Sequence, residues 1–242
     1  MSCHCRYLGA VLKLCDVINP TALRETFMSD DKQLKQAVLD ELQWDPSVNA
    51  AHISVSAMDG IISLTGYVET FSEKYAAERA ARRVGKVKAV AEEIEVRLPA
   101  SVRYRDEEIA SAAVDRLRWN SAIPDGVVKP EVEKGWVTLT GEVDWHFQQE
   151  AAAEDIRGLW GVIGVSNDIT VKPKPNASNI KDKIMIALQR SWFEPKTINV
   201  TAEGGNVTLT GKVRSWSERD EAGSTAWAAP GTTSVENHIS VG

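Results

Sequence analysis

Catalysis and metal binding need side chains that ligate, attack or move protons. Past residue 27 the histidines are His52, His146 and His238. The cysteines, Cys3, Cys5 and Cys15, crowd into the first 15 residues. Cys3-His4-Cys5 with Cys15 offers thiolate and imidazole donors, but the spacing matches no known zinc-site pattern. There is no glycine-rich phosphate loop ending in Lys-Ser/Thr, no H-E-x-x-H pair and no nucleophile elbow. The three histidines also fall at three different places in the internal repeat described next: a first strand, the start of a second helix and a last strand. A site built once per repeat would recur in place. The residues therefore predict no catalytic group, no cofactor and no metal ligand.

That repeat dominates the chain. Gly60–Gly66 reads G-I-I-S-L-T-G, Gly135–Gly141 reads G-W-V-T-L-T-G, and Gly205–Gly211 reads G-N-V-T-L-T-G. Each copy closes on a valine 30 residues past its last glycine: Val96, Val171 and Val241. Self-similarity at a fixed interval signals a copied structural unit.

Periodicity assigns the elements. The runs Ile53/Val55/Ala57, Val128/Pro130/Val132 and Ile198/Val200/Ala202 alternate with polar residues, as a strand with one buried face does. Asp59-Gly60, Lys134-Gly135 and Gly204-Gly205 suit two-residue hairpin turns, where glycine accepts positive φ. Pro130 has no amide to donate, which places its strand at a sheet edge. Upstream, Leu34/Val38/Leu42, Ile109/Ala113/Leu117 and Ile180/Ile184/Leu188 share one helical face. Thr70-x-x-Glu73 and Ser215-x-x-Glu218 are capping boxes that start a second helix. Module two carries Gln148 there but Trp145 in place of the hydroxyl, predicting a weaker cap. The last strands are Val90/Ile94/Val96, Val165/Ile169/Val171 and Val235/Ile239/Val241.

The fold class predicted is α+β: three tandem α-β-β-α-β modules, each a three-stranded mixed sheet with two helices on one face. The boundaries are 28–99, 101–172 and 174–242, after an N-terminal tail of residues 1–27 expected to be disordered. That tail reads either as such or as an extension upstream of a start at Met28. Gly66, Gly141 and Gly211 are expected to be structural, marking close backbone approach. A phosphate cradle would instead need consecutive amides at a helix N-terminus.

The Leu-Thr-Gly motifs and the tail Gly161-Val162…Val165-x-Asn167-x-Ile169-x-Val171 resemble the BON family. Module three keeps Gly231, Val235, Asn237 and Ile239 with Thr232 after the glycine. Module one has Lys86-Val87, and Glu93 where asparagine stands elsewhere. The resemblance covers residues 29–242. It implies an association with osmotic and envelope stress, modules that bind phospholipid surfaces or sit beside envelope and transport proteins, and a periplasmic address. The absence of a clear signal segment favours the cytoplasm, so compartment stays open. The alternative is a cytoplasmic protein- or ion-binding scaffold without lipid contact.

Charge and aromatics add the remaining expectations. The chain carries a net charge of −6, which argues against general nucleic-acid binding. No apolar run is long enough to span a bilayer. Residues 176–242 are neutral while residues 101–171 carry −6, and Lys172 and Lys174 flank the third module. Phe71 and Trp216 recur at the first turn of the capped helices. They are candidate lipid contacts or, the favoured reading, contacts to a neighbouring module; Lys172 and Lys174 complete the candidate lipid surface. Trp44 and Trp119 recur after the last leucine of the first helix and are expected to pack on the hairpin. Trp160 and Trp227 are expected in cores or between modules.

Overall fold

The computed structural model describes residues 20–99, 104–173, 179–191 and 197–242, with side chains described from residue 30 onward. Module one runs α1 (Pro20–Trp44), a 3-10 turn (Ala50–His52), β1 (Ile53–Met58), β2 (Ile61–Val68), α2 (Phe71–Arg83) and β3 (Ala89–Val96). Module two runs α3 (Asp106–Trp119), β4 (Val128–Glu133), β5 (Trp136–Val143), α4 (His146–Arg157) and β6 (Gly164–Val171). Module three runs α5 (Ile180–Leu188), β7 (Ile198–Glu203), β8 (Asn206–Val213), α6 (Trp216–Trp227) and β9 (Ser234–Val241). The first helix reaches back to Pro20, so residues 20–27 of the expected tail are helical; residues 1–19 lie outside the described residues.

Each sheet has the hairpin's second strand in the middle, antiparallel to the first strand and parallel to the last. The return to a parallel third strand requires a crossover, which the second helix provides. Pro130 lies on β4, an edge strand, opposite Leu139. The turn residues adopt positive φ, +53° at Asp59 and +83° at Gly60 in module one. An aspartate on the first helix, mid-helix in module one and the first helical residue in module two, holds that turn from outside. Asp31 accepts hydrogen bonds from the Asp59 and Gly60 amides, and Asp106 accepts them from Lys134 and Gly135 at 2.7 and 2.9 Å.

The inward residues build three separate cores. Val38, Leu42, Ile62 and Leu64 are fully buried in the first, Val137, Leu139 and Ile156 in the second, and Ile184, Leu188 and Leu209 in the third. Each such aliphatic side chain contributes about 1.5–3 kcal/mol by leaving water.

One expectation needs correction. The register pairs Leu64 with Glu92, Leu139 with Asn167 and Leu209 with Asn237. The residue replacing asparagine in module one is therefore Glu92, not Glu93; a one-residue slip along a strand exchanges its faces. Glu92 does part of the asparagine's work, accepting from the Ile94 amide at 2.5 Å, as Asn237 accepts from Ile239 at 3.2 Å. It also pairs with Lys74 at 2.9 Å. The helix cap of module two keeps one half of the box: Thr70 and Ser215 accept from the Glu73 and Glu218 amides, whereas the Trp145 side chain makes no cap hydrogen bond, as expected of a weaker cap. Gln148 is buried, and its Oε1 accepts from the Asp144 and Trp145 amides, both at 3.1 Å. Its Nε2 donates to the Ala122 carbonyl, so the carboxamide fastens the helix start to the preceding loop.

Candidate binding surface

The repeated glycines are set by the backbone. Gly66, Gly141 and Gly211 have φ of +124°, +147° and +139°. A Cβ at these positions would overlap the carbonyl oxygens of His52, Val127 and Thr197, one residue before the first strand. Gly161 and Gly231 also take positive φ, +88° and +99°, in the turn between the second helix and the last strand; Lys86 holds the same conformation in module one. These five positions shape the chain.

Trp44 and Trp119 depart from expectation. They are 84% and 83% exposed. Each stands two residues beyond the last core leucine, and two helical steps turn a side chain roughly 200° away from it. Both rings therefore leave the core face. Trp160 is also largely in solvent, at 53%, because it follows the end of α4 rather than lying on its buried face. Trp136 and Tyr104 stand half-exposed at the hairpin end of module two, where Gly164 lies against the Trp136 ring and Gly161 against the Tyr104 Cβ.

Phe71 and Trp216 face neighbouring modules. Phe71 packs against the core cluster of module two. One turn along α2, Tyr75 lies under the Arg157 guanidinium at 4.2 Å. Trp216 Nε1 donates to the Val87 carbonyl at 2.8 Å, and Arg82 stands 5.3 Å from its ring. Trp227 stacks on His146 at 3.9 Å, a contact between modules two and three. Lys172 is exposed and lies 3.5 Å from Asp144. Lys174 lies outside the described residues.

Electrostatics are local. Arg83 bridges Glu41 and Asp45, both at 2.8 Å, and with the Ser47 hydrogen bonds it holds the Asp45 carboxyl down at about 2. Burial pushes the His146 imidazole below its usual range, only partly offset by Glu150. A cavity of about 580 Å³ opens among the second helices, lined by Tyr75, Arg79, Arg82, Glu150, Trp216 and Asp220 among others. Among the described residues no cluster of three His, Cys, Asp or Glu could hold a metal ion. No described helix is long and apolar enough to cross a membrane.

Sequence reasoning singled out the aromatic positions but missed the partners. Asp31 and Asp106 recur at one repeat position and were open to the same argument. Arg82 and Arg157, likewise equivalent, gain meaning only once the modules are seen together.

Osmotically-inducible protein Y of Escherichia coli (strain K12) is 27% identical over 147 residues, covering 59% of this chain and 73% of that protein. Two solved structures of CdsD, a structural protein of the type III secretion system of Chlamydia trachomatis, align with 15% identity. The first has a TM-score of 0.23 and covers 86% of this chain and 91% of that one; the second, its C-terminal domain, has 0.24, with 86% and 96%. The model of the BON domain matches residues 30–97, 105–173 and 176–242, one match per module, and the chain belongs to the BON domain family.

Proposed function

We propose that this chain is a non-enzymatic protein of osmotic or envelope stress whose modules bind phospholipid surfaces through exposed aromatic side chains. Support for the stress role comes from its likeness to osmotically-inducible protein Y. The observation that carries the lipid reading is the exposure of Trp44 and Trp119 at one repeat position. An indole more than four-fifths in water forgoes the burial that usually stabilises it. It is suited to the headgroup layer, where its ring is shielded and its N–H stays wet. Phe71 and Trp216 are engaged between modules, so the aromatic contact passes to Trp44 and Trp119. Exposed Lys172 remains a candidate for the phosphate, and Lys174 with it. Two weak anchors on one chain raise avidity without a strong single site.

Co-sedimentation with vesicles of phosphatidylglycerol and phosphatidylethanolamine at low salt tests this. The parent is expected in the pellet, and Trp44→Ser/Trp119→Ser to lose at least tenfold in partitioning. Equal partitioning of the two proteins, or none by the parent, overturns the reading.

A further inference from the structure

We infer that the three modules close into a ring about a pseudo-threefold axis, with the last module docked back on the first. Three inter-module contacts carry the inference. Phe71, His146 and Trp216 are each the first residue of a second helix, five residues past the Leu-Thr-Gly glycine. Arg82, Arg157 and Trp227 are likewise equivalent, eleven residues further along those helices. In every joint the N-terminal half of one helix meets the last turn of the next module's helix.

Module one offers Phe71 and Tyr75, and Tyr75 takes the Arg157 guanidinium of module two. Module two offers His146, which stacks at 12° on Trp227 of module three. Module three offers Trp216, which meets Arg82 and the Val87 carbonyl of module one, 129 residues away in sequence. The order is one to two, two to three, three to one. The chemistry is permuted while the geometry is kept: a flat ring against a guanidinium, a ring against a ring, a ring against a guanidinium.

A head-to-tail contact repeated in this way either extends into a filament or closes, according to its rotation. The third contact returning to the first module means that this one closes at three. The central cavity agrees, since Tyr75, Glu150 and Asp220 occupy one repeat position, one from each module, and all line it. Arg82 Nε is buried without a hydrogen-bond acceptor, so its guanidinium is held against Trp216 by packing and by Glu78. Connected chain tethers the first two joints. The third has only its own contact to keep it shut.

Small-angle scattering on the full chain tests the clasp. For modules of about 70 residues, general size scaling gives a radius of gyration near 20 Å for a closed triangle and near 25 Å for an extended row. Trp216→Ala is expected to raise the radius by up to a quarter, with unchanged far-UV circular dichroism and faster amide exchange at residues 84–88. Arg82→Ser attacks the same joint from module one and is expected to do likewise, which covers a loss of folding in module three. A parent radius already at the extended value, or a compact radius and unaltered exchange in both folded variants, overturns the ring.

Discussion

Replacing Gly141 by alanine tests whether the Leu-Thr-Gly glycine is there for the backbone or for a ligand. At φ of +147° an L-residue sits in a region almost reserved for glycine, at a cost of about 1–3 kcal/mol. The added methyl also overlaps the Val127 carbonyl at the end of the β4–β5 ladder. Relief requires β4 to move from β5 there, on the order of one ladder hydrogen bond, or about 1 kcal/mol. Together these give about 3 kcal/mol. Gly126→Ala is the control: its φ is +71° with no atom within 4 Å of the new methyl, so only the conformational cost remains, about 1 kcal/mol. Urea unfolding followed by tryptophan emission and circular dichroism gives both values. If Gly141→Ala costs no more than Gly126→Ala, the backbone account of these repeated glycines fails.

Other substitutions report on charge and packing. The Asp45 carboxyl, held at about 2 by Arg83 and Ser47, stabilises the fold above its unfolded value of 3.8 and loses that contribution as pH falls toward 2. Arg83 is half-exposed, so screening limits the effect to about 1 kcal/mol; Asp45→Asn is expected to flatten the acid limb of a stability-against-pH curve below pH 4. His146 is held neutral by burial, so its contribution is present above pH 6.5 and fades as pH falls below it. Comparing urea midpoints at pH 7.5 and 5, His146→Phe is expected to show a smaller drop than the parent. Leu209→Ala removes a fully buried side chain from the third core and is expected to cost about 2–5 kcal/mol in urea unfolding.

Strands and hairpins were legible because their signals are local: period two, a glycine in a turn, a hydroxyl three residues before a glutamate. Recurrence then tripled each signal. Trp44 shows where recurrence misleads, since a repeated position says that a residue has the same role in each copy and not which role. Helical phase supplies the answer, two steps past Leu42 and away from the core. Glu92 shows the same sensitivity in a strand, where an offset of one exchanges inside for outside. The joints were half legible. Phe71 and Trp216 are both aromatic and recur visibly, whereas His146 holds the same position with a different residue type. Its role depends on Trp227, 81 positions on, and only the folded chain brings them together.

Quenching of tryptophan emission by bilayers with brominated acyl chains addresses the membrane claim most directly. The parent is expected to lose emission on such vesicles, while Trp44→Phe/Trp119→Phe still binds and is not quenched, because its aromatic anchors no longer emit. Absence of quenching in the parent, or the same quenched fraction in the double variant, would contradict the account.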